Sequence, residues 1–121
     1  MTSQEIFDKV ARHLLTQGER CEKLDFSYEP PQPACAYRSH GKACAVGCLI
    51  PPDVTIPDDI NVGTSLHTLF NTVPWAGKNL QQHNDLLRDL QRIHDGKPVE
   101  RWRTELNSVC VFFFLTWPEG L

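Results

Sequence analysis

A chain of 121 residues fits one domain, spanning 1–121, and a domain of that length buries roughly two-thirds of its unfolded surface, so a core can form without metal or disulfide. A composition of 40% hydrophobic and 22% charged residues argues against disorder and against membrane residence. The net charge of -3 argues against both a basic nucleic-acid binder and a densely acidic DNA mimic.

The longest apolar run, Val109 to Leu115, is far shorter than the ~20 residues of a membrane-spanning helix. The N-terminus Met1-Thr2-Ser3-Gln4-Glu5 lacks a basic-then-apolar leader pattern, so a cytoplasmic location is expected. The five cysteines are odd in number and three crowd between Cys35 and Cys48, which predicts reduced thiols rather than a secreted disulfide framework.

In chain order, Thr2 and Glu5 form a capping-box pattern ahead of Ile6, Phe7, Val10, Ala11, Leu14 and Leu15. That spacing predicts a helix over 3–17, stopped at Gly18. Residues 19–34 carry charges and Pro30, Pro31 and Pro33, which predicts a long loop. Residues 35–38 and 43–50 read as two strands of a β-hairpin around the turn Ser39-His40-Gly41-Lys42, with Gly41 free to take a positive φ.

Pro51-Pro52 ends the second strand, and residues up to Gly63 should run over the surface. Ser65 or Thr64 can cap a short helix through Leu66, Leu69 and Phe70, closed by Pro74. Leu80, His83, Leu87, Leu90 and Ile93 predict an amphipathic helix over 79–95. A last helix starts near Pro98 and carries Val99, Trp102, Leu106, Val109, Cys110 and Phe113 on one stripe. Its end, as far as Phe114, competes with a short buried strand because the run is β-branched and aromatic. The predicted architecture is α+β, with about four helices packed around a short β-hairpin.

The strings Cys35-Ala-Tyr-Arg, Gly41-Lys-Ala-Cys44-Ala-Val-Gly-Cys48-Leu-Ile-Pro51 and Leu87-Arg-Asp-Leu-Gln-Arg-Ile-His-Asp95 ahead of Trp102 resemble a group of small uncharacterised proteins of bacteria and their phages. The likeness runs from Gln4 to Leu106, and Cys-Ala-Val-Gly-Cys-Leu-Ile-Pro is its most specific string. The chain departs from the group in its Pro-rich loop and in its aromatic tail, Phe112 to Trp117. The resemblance implies a phage or prophage accessory protein rather than a reaction, and it contributes no functional residue.

Several groups of side chains carry candidate chemistry. Cys35, His40, Cys44 and Cys48 on one hairpin, with Cys21 as a substitute for His40, could hold structural zinc, although only Cys44-x3-Cys48 has the usual pair spacing. The alternative is that Cys44, Val46 and Cys48 share the buried face of a strand. A thiol nucleophile, Cys44 or Cys48 with His67, His83 or His94, remains a residual possibility, because the sequence around Gly47 lacks a nucleophile signature. His94-Asp95 at a helix end could mark a metal or phosphate site, but a histidine there also suits the negative end of a helix dipole, which is the preferred reading. Arg88, Arg92, Lys97, Arg101 and Arg103, interleaved with Asp89, Asp95 and Glu100, read as a solvated helical face. No phosphate-binding glycine motif occurs.

Consecutive apolar residues on a helix turn by about 100° per step, so Phe112, Phe113, Phe114, Leu115 and Trp117 cannot all face one core, and Phe112, Phe114 and Trp117 are the candidate partner-binding residues. The tail therefore either folds back on the domain or forms a contact surface for a host protein or a second copy of the chain. The expected function is a non-enzymatic accessory protein that binds and occludes a host protein, an anti-CRISPR-type inhibitor being one version. Neither nucleic acid nor membrane is an expected partner.

Overall fold

The computed structural model describes all 121 residues and has an α+β fold. Helix α1 (Ser3–Gln17) opens with both halves of the expected capping box: Thr2 Oγ1 accepts from the Glu5 N–H and Glu5 Oε1 accepts from the Thr2 N–H. Those bonds hold the Glu5 carboxyl below its ordinary pKa. The apolar stripe of α1 buries Ile6, Phe7, Val10, Ala11 and Leu14.

The expected loop over 19–34 instead contains a hairpin. Strands β1 (Glu22–Asp25) and β2 (Gln32–Cys35) pair antiparallel with Glu22 opposite Cys35 and Asp25 opposite Gln32. The prolines are tolerated because this two-stranded arm stands off the body, its residues exposed or half-buried, and its strands have free edges. Leu24, Phe26 and Tyr28 lie exposed along it.

The second hairpin turns where expected but is much shorter. Strands β3 (Arg38–Ser39) and β4 (Lys42–Ala43) flank His40 and Gly41, both at positive φ (53° and 77°), as a two-residue type I′ turn requires. Residues 44–50 are not a strand. Cys48 and Leu49 N–H groups bond back to Cys44 and Val46 carbonyls, and Gly47–Leu49 winds into a 3₁₀ turn. Local bonds satisfy this backbone, so it needs no partner strand. Cys44, Ala45, Val46, Leu49 and Ile50 are buried, and Cys48 is half-buried.

Two polar side chains lock this unit. The Arg38 guanidinium donates to the carbonyls of Ile50, Pro51 and Val54 at 2.6, 2.7 and 2.8 Å. The Asn61 carboxamide bonds both the N–H and the C=O of Arg38 (3.0 and 2.8 Å), in the manner of a neighbouring strand.

A single turn, α2 (Asp58–Asn61), precedes α3 (Leu66–Thr72), which Ser65 caps by accepting from the Thr68 N–H. Pro74 opens α4 (Pro74–Leu80) rather than merely ending α3. A 3₁₀ turn over Gln81–His83 leads into α5 (Asn84–Gly96), so the helix expected from residue 79 begins five residues later. Helix α6 (Trp102–Phe112) follows a 3₁₀ turn at Val99–Arg101. Helix prevails over strand here, and it ends two residues before Phe114.

One core joins α1, the 3₁₀ turn at Gly47–Leu49, α5 and α6, with Phe7, Leu14, Leu87, Leu90, Trp102 and Leu106 fully buried. No helix is long and apolar enough to cross a membrane.

Candidate functional site

The polar stripe of α5, opposite its buried leucines, faces the turn after Val62 across a cleft of about 540 Å³ lined by Tyr37, Thr64, His67, Arg88, Arg92 and Asp95 among others. A second hollow of about 360 Å³ adjoins it, shares Tyr37, Thr64 and Asp95, and reaches Cys35. The signature strings build this floor: Tyr37 is buried, and its hydroxyl donates to the Thr64 carbonyl at 3.0 Å.

At the cleft's end lies a hydrogen-bonded cluster. The fully buried His94 accepts from the Cys21 N–H at Nε2 (2.9 Å), so Nδ1 carries the proton and donates to Asp95 Oδ1 at 2.7 Å. Gln91 donates to the same Asp95 oxygen (2.9 Å), while its own carbonyl accepts from the Val46 N–H. The His94 ring stacks on Trp102 with centroids 5.8 Å apart. Arg20 ties the same corner by donating to the His94 and Lys97 carbonyls. The expected role of His94-Asp95 as a helix-dipole partner is thus only part of its environment: the pair also pins the start of β1 to the end of α5.

Cys35, His94 and Asp95 have ligand-capable atoms within 4.8 Å of one another. A metal ion there would have to displace the proton between His94 Nδ1 and Asp95. A metal on Nδ1 would leave the imidazole proton on Nε2, facing the Cys21 N–H donor, whereas metal-bound histidines donate from their second nitrogen. Of the four hairpin positions expected for zinc, Cys35 alone belongs to a cluster of three potential ligands. His40 is exposed at the turn tip, the Cys44 sulfur accepts from the Gly47 N–H in the core, and Cys48 donates to the Ala45 carbonyl. Cys21, the substitute, is buried.

All five thiols are free and all are pushed up in pKa, chiefly by burial. Burial, then the Asp95 carboxylate, raises Cys35 to about 12, and burial raises Cys48 to about 12. This is opposite to what an activated thiolate needs. The candidate bases are also engaged elsewhere: His94 as above, His83 with the Met1 carbonyl and Ser3, and His67 with Asn71.

A measurable consequence follows. A rise from 9.0 to about 12 cuts the thiolate fraction at pH 8 roughly a thousandfold. Iodoacetamide should therefore label Cys35 and Cys48 at least about a hundredfold more slowly in native protein than in urea. Native rates should keep rising between pH 9 and 11. Because the folded pKa values exceed the unfolded ones, their stabilisation is complete below pH 9 and is lost as pH rises towards 12. The melting temperature should fall over that window. Equal labelling in native and denatured protein at pH 8 would contradict this burial.

The tail is part packed and part exposed. Trp117 packs edge-on against Phe7 at 6.0 Å and lies 5.9 Å from the Arg103 guanidinium. Gln4 bonds both the N–H and the C=O of Thr116, fastening the tail to α1. Phe112 and Phe114, in contrast, are 72% and 96% exposed, beside Val111 at 69%. Sequence reasoning missed the cleft, although Asn84, Arg88, Gln91 and Asp95 recur at helical steps of three and four. Its other wall is the Thr64–Ser65 turn and the first residues of α3, whose apolar pattern marks only the buried side of that helix.

No family model matches this chain, and neither curated proteins nor solved structures yield a match.

Proposed function

We propose that the chain is a non-enzymatic binding protein, a phage or prophage accessory factor that occludes a host protein through Val111, Phe112 and Phe114. The observation that carries this reading is the exposed display of an aromatic patch. Phe114 stands 96% exposed at the end of α6, with a positive φ of 56°, and its N–H is bonded to the Val111 carbonyl at 3.1 Å. Phe112 packs edge-on against Phe113 with centroids 5.1 Å apart, which limits the ordering entropy lost on binding. Aromatic side chains presented in this way are typical centres of protein interfaces. The anti-CRISPR-type version comes from the family resemblance alone.

The test is the double variant Phe112→Ser/Phe114→Ser, whose melting temperature should match that of the parent because both rings are exposed. Expressed in CRISPR-immune bacteria challenged with phage, the parent should restore plaque formation and the variant should not. The complex isolated from those cells should weaken at least about tenfold, as expected when interface aromatics are lost. Unchanged immunity would remove the anti-CRISPR version. A dimer by native mass spectrometry that the variant converts to monomer would assign the patch to self-association and overturn the host-protein reading.

A further inference from the structure

We infer that the cleft between α5 and the Thr64–His67 segment, which leads into α3, is a second binding site, shaped for an extended peptide that carries a carboxylate and, about three residues away, a cationic group. The inference is independent of the aromatic patch.

The two ends of the cleft carry opposite charge. Arg88 marks one end and Arg92 lies between it and Asp95, about one turn from each; the two are 60% and 65% exposed, and each forms a long ion pair, with Asp85 at 3.5 Å and Asp89 at 3.6 Å. Those separations exceed a good hydrogen bond, so the guanidinium N–H groups remain available to a ligand carboxylate. At the other end Asp95 is held in one orientation by His94 and Gln91, both bonded to Oδ1, while its side chain stays 43% exposed. A carboxylate fixed and open in this way is prepared for an ammonium or guanidinium group.

Both charge and span select the ligand class. A simple anion would meet Asp95, and a simple cation would meet the two arginines, so the occupant must carry both signs. Arg88 and Asp95 are two turns apart along α5, about 10 Å of helix rise, and an extended peptide covers that distance in about three residues. A nucleotide is disfavoured because its anionic phosphate can meet the arginines but leaves Asp95 without a cationic partner. The volume of about 540 Å³ lies within the ordinary range for ligand sites.

The experiment is an NMR titration of ¹⁵N-labelled full-length protein with acetyl-Glu-Ala-Ala-Lys-amide. Acetyl-Gln-Ala-Ala-Gln-amide, glutarate and a mononucleotide serve as comparisons. The expected result is saturable shifts, in the millimolar range, of amides in 64–67 and 88–96, with the neutral peptide and glutarate at least about fivefold weaker. The double variant Arg88→Glu/Arg92→Glu changes exposed side chains and should weaken the charged peptide by a similar factor while leaving the Phe112–Phe114 amides unmoved. Salt at 0.5 M should weaken it in the parent protein as well. Absence of saturable shifts, shifts confined to other surfaces, equal binding of the neutral peptide, or tighter binding of glutarate or the mononucleotide would each overturn the inference. Failure of the aromatic-patch test would leave these readouts unaffected.

Discussion

Gly47→Ala is expected to prevent stable folding. A β-carbon at this position would stand 2.0 Å from the Tyr37 carbonyl oxygen and 2.8 Å from its carbon, where ordinary contacts begin near 3.4 Å. The obstacle is backbone, so no rotamer change relieves it. Tyr37 cannot move aside freely, because its N–H donates to the Asn61 carbonyl at 2.9 Å and its C=O accepts from Cys44 at 3.1 Å. Separating the two segments would break those bonds and open the core beside Val46 and Leu49, which are both buried. A cost above about 3 kcal/mol is a large part of the 5–15 kcal/mol that stabilises a typical domain. Urea denaturation followed by tryptophan fluorescence should show a midpoint greatly lowered or absent. A midpoint equal to that of the parent would mean that Gly47 does not lie against Tyr37.

The second large effect is expected at Arg38. Its side chain makes charged hydrogen bonds to three carbonyls, of which only that of Pro51 also accepts from a backbone donor, the Val54 N–H at 3.0 Å. Burial pulls its pKa down somewhat, but a guanidinium remains charged throughout the working range. Removing it in Arg38→Ala leaves the Ile50 and Val54 oxygens to find water, while the Pro51 oxygen keeps the Val54 N–H. Because residues 51–54 are partly exposed, rehydration offsets part of the loss. The net cost should be about 2–4 kcal/mol, less than the sum of three separate charged bonds. Hydrogen exchange should accelerate first at residues 50–54 and at the Asn61 contact, before global unfolding. Arg38→Lys should fall between, since one ammonium cannot reproduce the fork that reaches all three oxygens. A variant with parental stability and exchange would show that the clamp contributes nothing.

These two residues also show what the sequence made legible. The helical segments were readable where local rules suffice: the Thr2–Glu5 box starts α1, and apolar stripes at steps of three and four mark α5 and α6. The break between α4 and α5 was hidden because Leu80, His83 and Leu87 keep helical spacing across it. Cys44 to Ile50 has strand-like composition, and what bends it is non-local: Gly47 against Tyr37, and Arg38 gripping the carbonyls beyond. The β1–β2 arm escaped notice because an exposed strand has no apolar alternation and its prolines read as breakers.

The site was less legible still. Cys35 was read with its sequence neighbours His40, Cys44 and Cys48, yet in space it meets His94 and Asp95, far along the chain. Pairing within a short string is a weak guide when the thiols serve as small apolar groups. The tail was read correctly as unable to bury every aromatic, and only the structure assigns Trp117 inward and Phe112 and Phe114 outward.

The projecting arm has a further consequence for how this chain can change. Its root is held by the Cys21 carbonyl accepting from the Ala36 N–H and by the Cys21 N–H on His94, while its outer residues bury almost nothing. Lengthening a solvent-exposed loop costs little, about 0.6 kcal/mol per doubling. Residues 26–31 can therefore gain, lose or exchange sequence while the register of Cys35 to Ala43 stays fixed from below. The arm is a graft point: a place where new recognition sequence can be carried at low cost to the body that holds it.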